Sequence, residues 1–231
     1  MKILAAIPAR NEEASIGSVL ESISVRYPSM PVLVINDAST DRTSPIARSR
    51  PNVSVIDLPF WTGYGGALQT AYKYALREGY DAVIQLDADG QHDPASIADL
   101  IAQVQSADIV IGSRFLARSN AYRMPAPRRL GCLALSWLAQ KLTGMKLSDP
   151  TSGFQALNRK AMTIAVMDHY PMDYPDIDVL ILMHRFHLKV AEIPVVMHYS
   201  REKSGMHEGL QVWYYGIKML LSVFVVMLRK G

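Results

Sequence analysis

A regular rhythm in the first 115 residues constrains the fold more than any other feature of the sequence. Apolar runs at Ile3 to Ile7, Val32 to Ile35 and Val53 to Leu58 are followed by Val83-Ile-Gln-Leu86 and Ile109-Val-Ile-Gly112, and segments of helical length lie between them. That alternation predicts βαβ units and a parallel sheet. Ala14 to Ile23, Gly66 to Arg77 and Pro94 to Val104 carry apolar residues at roughly helical spacing, and Pro94 suits a first helical turn, where its missing N–H costs nothing. The expected class is α/β, a doubly wound, mostly parallel sheet whose first half, residues 1–115, binds a nucleotide.

After residue 116 the rhythm changes. Residues 117–127 hold arginine- and proline-rich turns, Leu130 to Leu142 reads as an apolar helix, Leu147 to Phe154 as a loop and Ala191 to His198 as a strand. Residues 116–208 are therefore expected to form an α/β extension on the acceptor side, within one domain spanning 1–208. The remainder, 209–231, is a different kind of segment. From Leu210 to Leu228 only Gln211, Lys218 and Ser222 are strongly polar, and with Arg229 they fall on one narrow helical stripe. A spanning helix needs about 20 apolar residues, and a central lysine costs roughly 2.5 to 3.5 kcal/mol on insertion scales. An apolar C-terminal helix lying on a membrane surface, or closing a homodimer, is the cheaper arrangement.

With 231 residues and 49% hydrophobic content the chain can bury a sizeable core. A formal charge of +3 without a dense Lys/Arg run does not suit nucleic acid and leaves anionic small substrates open. The single Cys132 lies in an apolar run and reads as a small buried hydrophobe. The N-terminus runs straight into the first apolar stretch without a cleavage signal, which points to a cytoplasmic chain.

The sharpest chemical signal is Asp87-Ala-Asp89, placed directly after an expected strand. A strand end puts both carboxylates at the carboxyl edge of a parallel sheet, where α/β proteins bind ligands, and the i, i+2 spacing lets two oxygens approach one hard cation. Such an ion would neutralise a departing diphosphate. Two more loops belong to the same edge, Pro8-Ala-Arg-Asn-Glu-Glu13 and Asn36-Asp-Ala-Ser-Thr-Asp-Arg-Thr43.

Together with Gln85-Leu-Asp-Ala-Asp-Gly-Gln-His-Asp-Pro94, Gly112-Ser-Arg114 and Ser148-Asp-Pro-Thr-Ser-Gly-Phe154, these motifs make the chain resemble family 2 glycosyltransferases of the GT-A fold. Within that family it is most similar to the branch of dolichol-phosphate mannose synthases and bacterial polyprenyl-phosphate sugar transferases. The resemblance implies a metal-dependent, inverting transfer of sugar from a nucleotide diphosphate sugar to a lipid-linked phosphate or cell-surface glycan, at the cytoplasmic face of a membrane. It implies that Pro8, Arg10, Glu12 and Asp37 line the nucleotide pocket. Asp87, Asp89 and Gln91 would hold Mg2+ or Mn2+, with Asp87 also near the donor phosphates. Arg114, Arg128 and Arg201 are the expected phosphate-binding arginines, because a guanidinium fork grips phosphate oxygens bidentately. The loop that contains Arg201 and Lys203 differs from the family's usual sequence there.

Asp89, Asp149 and Asp176 are the candidate catalytic carboxylates, with Asp178 a further one on the acceptor side. A phosphate acceptor is already ionised at neutral pH and needs no base, whereas a hydroxyl acceptor does. Plainer roles exist for several of these residues. Asp149 can anchor the Thr151-Ser-Gly turn, Asp37 and Asp41 can cap helices, and Asp93 before Pro94 is a natural helix start. Gly63-Tyr-Gly-Gly66 can line the pocket. Trp61, Trp137 and Trp213 suit core or interface positions better than sugar platforms. Two other functions fit less well. A sugar-phosphate nucleotidyltransferase should carry a glycine-rich basic loop after its first strand, and Ala6-Ile-Pro-Ala-Arg-Asn-Glu has no glycine. A non-catalytic nucleotide-binding, membrane-associated protein would not need the acidic pair.

Overall fold

The computed structural model describes residues 1–116, 126–168, 170–171, 177–198 and 221, and within 126–143 the side chains of 126–128 and 130 also fall outside the description. Strands β1 (Ile3–Ala9), β2 (Val32–Asn36), β3 (Val53–Asp57), β4 (Ala82–Gln85), β5 (Ile109–Ser113), β6 (Gln155–Asn158) and β7 (Val190–Pro194) form one sheet in the order β3-β2-β1-β4-β6-β5-β7. All pairings are parallel except those of β6, which runs antiparallel to both β4 and β5. The sheet is continuous across the two halves of the sequence, because β6 inserts between two strands of the first half and β7 extends its edge beside β5.

Period-two alternation fixes which residue faces which layer. On β1, Leu4 and Ala6 face the layer built by α3 (Tyr64–Arg77), α6 (Arg159–Ala165) and α7 (Ile177–Arg185), with Leu68, Tyr72, Met162 and Leu180 in the same cluster. Ala5 and Ile7 face the opposite layer, where α1 (Ile16–Arg26) supplies Ile16, Leu20 and Ile23 and α4 (Ile97–Gln103) supplies Ile97 and Leu100. The short helix α2 (Thr43–Arg48) follows β2. The apolar helix expected over 130–142 is α5 (Ala126–Thr143), which packs through Ala139 on Ile177 and Ile181 of α7. Cys132 on this helix is buried, as an apolar run suggests.

Pro94 opens a 3-10 turn (Pro94–Ser96) ahead of α4, and Asp93 caps it by accepting the Ala95 N–H at 2.8 Å. Among the described residues no helix is long and apolar enough to cross a membrane. The C-terminal helix expected over 209–231 lies outside the described residues apart from Leu221.

Candidate active site

Because β1, β2, β4 and β5 are parallel, their carboxyl ends deliver Arg10, Asp37, Asp87 and Arg114 to one edge of the sheet. Antiparallel β6 starts at that edge, so the loop that precedes it, Asp149 to Phe154, enters the same region from the second half.

Asp87 and Asp89 leave β4 together, as the motif requires. One Asp87 oxygen, Oδ1, accepts the Tyr64 hydroxyl at 2.6 Å, and the other lies 3.4 Å from His92 Nε2. His92 Nδ1 accepts the backbone N–H of Asp87 at 3.0 Å, so a neutral ring carries its proton on Nε2, facing the carboxylate. The ring is itself held by stacking on Phe154, with centroids 4.7 Å apart. Burial, and then the charge of Asp87, hold the Tyr64 hydroxyl well above its ordinary pKa, so it remains a donor.

Asp89 accepts the Gln91 N–H at 2.9 Å. Burial and then the neighbouring charge of Asp87 push its carboxyl above the usual aspartate range. Two close carboxylates in excess of their local positive charge suit a hard divalent cation. Among the described residues no group of three or more His, Cys, Asp or Glu could complete such a site alone. That donor set fits an ion that takes one or two carboxylates from the protein and the rest of its oxygens from substrate phosphates and water. Gln91 stands at the adjacent turn, its carbonyl accepting the His198 N–H at 2.8 Å.

Asp37 is only 4% exposed. Its Oδ1 accepts from the Thr62 N–H at 2.7 Å and hydroxyl at 3.0 Å, and its Oδ2 accepts the Gly63 N–H at 3.0 Å. It caps neither neighbouring helix and instead ties the loop after β3 to the end of β2. That tether sets Trp61, 60% exposed, beneath Arg10, whose guanidinium carbon lies 4.6 Å from the ring centroid. The indole is therefore not the core residue its type suggests, and the same holds for exposed Trp137 on α5. Pro8 lies on β1 opposite Ile35 of β2, and Glu12 accepts the Ser15 hydroxyl at 2.6 Å while its N–H donates to Thr43 Oγ1 at 2.7 Å. Asp41 receives the Thr43 N–H at 3.0 Å at the start of α2.

Two of the expected site residues pair with each other. Arg114 donates through Nε and Nη2 to the two oxygens of Asp149, both at 2.6 Å, and through its backbone N–H at 3.0 Å. The pair is 6% and 0% exposed. Both Asp149 oxygens are thus engaged by Arg114 and shielded from solvent. They are held as in the turn-anchoring alternative, and Arg114 is a strut for that loop instead of an open phosphate fork. Arg114 Nη2 also reaches Thr151 Oγ1 at 3.1 Å.

Glu192 on β7, absent from the sequence reading, closes the network by accepting the N–H groups of Ser148 and Asp149, both at 2.8 Å. Tyr64 is the other omission, because the sequence drew attention to the glycines around it. Asp178 is buried on α7 and accepts the Val179 N–H at 2.8 Å. Asp176, Arg201 and the Arg128 side chain lie outside the described residues.

Residues 5–164 match the model of glycosyl transferase family 2. The undecaprenyl-phosphate mannosyltransferase of Micrococcus luteus is 30% identical over 203 residues, covering 84% of this chain and 83% of that protein. A UDP-N-acetylglucosamine–dolichyl-phosphate N-acetylglucosaminyltransferase of Methanococcus voltae is 27% identical over 97% of this chain and 95% of its own. Among solved structures, glucosyl-3-phosphoglycerate synthase from Mycobacterium tuberculosis, in complex with Mn2+, UDP-glucose and phosphoglyceric acid, superposes with a TM-score of 0.72. The match covers 97% of this chain and 79% of that one at 22% identity, and speaks for the fold.

Proposed function

The chain belongs to glycosyl transferase family 2, and from that membership we propose that it moves a sugar from a nucleotide diphosphate donor to a polyprenyl phosphate with inversion at the anomeric carbon. It is a glycosyltransferase, which removes both the nucleotidyltransferase and the non-catalytic alternatives. The observation that carries the finer reading is the pair Asp87 and Asp89 at the carboxyl edge of β4, beside a loop that Asp37 holds in place.

The nucleotide lies along the ends of β1 and β2, against Pro8, Arg10, Glu12 and the loop that Asp37 secures. Asp87 and Asp89, with Gln91 at the turn, hold Mg2+ or Mn2+ against the donor diphosphate, and the ion supplies charge neutralisation of the leaving group. The acceptor phosphate is ionised at neutral pH, so no carboxylate is needed to activate it. This agrees with Asp149 being sequestered by Arg114. A lipid phosphate is favoured over a soluble acceptor because relatives of matching length are named for undecaprenyl and dolichyl phosphates. Arg128 and Arg201 are assigned to donor binding in this reading, Asp176 to the acceptor side, and residues 209–231 to the contact with the cytoplasmic membrane face or with a second copy of the chain.

Purified protein, incubated with Mn2+ or Mg2+ and a panel of nucleotide sugars, should transfer sugar to undecaprenyl phosphate and release nucleoside diphosphate. Transfer that proceeds equally well in EDTA would reject the metal. Transfer to soluble hydroxyl acceptors alone would reject the lipid phosphate.

A further inference from the structure

Asp87 is enclosed on three sides by residues that nothing about the reaction requires. Tyr64 donates to one oxygen at 2.6 Å, His92 faces the other at 3.4 Å, and Gly153 closes the third side. A Cβ at Gly153 would stand 3.0 Å from Asp87 Oδ2 and 3.0 Å from the Tyr64 oxygen. Tyr64 is in turn fixed from behind. Gln85 Nε2 donates to its oxygen at 3.1 Å, and Gln85 Oε1 accepts the hydroxyl of fully buried Tyr72 at 2.6 Å. The relay thus runs from the core layer under α3, through the side chain of Gln85 at the end of β4, to a carboxylate two residues further on.

Helix α3 makes this possible. Gly63 takes a φ of 85°, a conformation glycine adopts without penalty, and turns the chain so that Tyr64 begins the helix directly over the end of β4. Asp37 pins the same turn through the Gly63 N–H.

We propose that Tyr64 is a positioning residue that locks the Asp87 carboxylate in the orientation a divalent cation needs, with Gly153 as the stop on its far side. The inference rests on Asp87 and Asp89 being the carboxylates that meet the ion. A carboxylate on a short side chain rotates about two bonds, and an ion held by only two protein groups gains little from a ligand that must first be ordered. The Tyr64 hydroxyl and the His92 Nε2–H face different oxygens, so together they fix the plane of the group while leaving lone pairs on each oxygen. Gly153 belongs to the loop anchored by Asp149, so a shift of that loop is felt at Asp87 without any residue between them.

The test is the affinity of the intact protein for Mn2+ alone, read from loss of the free-ion EPR signal. Tyr64→Phe deletes a single oxygen and keeps the ring. Its half-saturating Mn2+ concentration should rise about three- to tenfold, the scale of one lost hydrogen bond, and Tyr72→Phe should give a smaller rise in the same direction. Gly153→Ala should weaken Mn2+ binding by crowding the carboxylate from the other side. A merely structural tyrosine would lower the thermal midpoint and leave Mn2+ binding unchanged, and unaltered or tighter binding in Tyr64→Phe overturns the proposal. Absence of Mn2+ binding by the wild-type protein, both alone and with a nucleoside diphosphate present, would instead overturn the metal reading itself, and the inference with it.

Discussion

Asp149 and Asp89 lie at the same edge of one sheet, yet their surroundings are opposite. Asp149 is wholly enclosed, its oxygens taken by the Nε, Nη2 and backbone N–H of Arg114, and its own loop is tied to Glu192 on β7. Asp89 accepts the N–H of Gln91 two residues on, and after burial the strongest influence on it is the like charge of Asp87. The first carboxylate has been given all the positive charge it needs, and it holds a loop. The second has its pKa raised by burial and by a like charge, and that is an electrostatic strain a bound cation can answer. The contrast separates scaffold from chemistry among residues that look alike in sequence.

The largest expected effect is at the scaffold. Asp149→Asn should lower folding stability by about 3 to 5 kcal/mol, because it leaves the buried Arg114 guanidinium without its countercharge. Denaturant unfolding followed by circular dichroism would measure it. A change within experimental error would mean that the pair is not structural, and the contrast with Asp89 would collapse. Next comes Asp89→Ala, which should reduce turnover by roughly 100-fold or more at saturating metal, the scale on which a single electrostatic group at a reacting centre is felt. Its unfolding midpoint should not fall. Sugar transfer at the wild-type rate, or a loss of activity fully explained by unfolding, would move Asp89 into the same class as Asp149.

The difference in legibility between the two regions has a physical origin. Strands β1 to β5 follow from apolar runs and turn positions, which are local signals, and they accordingly emerge from sequence with ends displaced by only a residue or two. Strand β6 does not emerge. Gln155-Ala-Leu-Asn is four residues with two apolar side chains, and it is a strand because β4 and β5 pair with it on both sides. In helix α7 the run Val179 to Met183 is continuously apolar, and so short an apolar run reads as strand or buried helix alike.

At the site, Asp87 and Asp89 are legible because they stand two residues apart directly after a strand. The partners of the other groups are distant in sequence: Tyr64 is 23 residues from Asp87, and Arg114 is 35 from Asp149. Arginine in a phosphate-handling sequence reads as a phosphate ligand. Only the folded loop shows that Arg114 is already bound to a carboxylate.

The smallest expected effect is also the most direct test of the electrostatic strain at Asp89, and it concerns stability in place of activity. Burial and the charge of Asp87 raise its carboxyl above the ordinary aspartate value in the folded state. The folded protein therefore holds a proton there more tightly than the unfolded chain does. That contribution to stability is fully present below the ordinary aspartate range and is lost as the pH rises through the raised value, so at pH 7 the ionised group is a net cost.

Asp89→Asn removes the charge and keeps an oxygen for the Gln91 N–H, so the metal-free variant should melt slightly higher than the wild type at pH 7. The gain should shrink at acid pH, where the wild-type carboxyl is protonated. Saturating Mn2+ should reduce or reverse it, because an ion that binds only the folded wild type stabilises that state by mass action. Thermal melts at pH 7 and near pH 4, each with and without Mn2+, would show the three trends together. A variant that melts lower than the wild type in the absence of metal would mean that Asp89 is as well compensated as Asp149, and that the electrostatic strain assigned to this edge of the sheet does not exist.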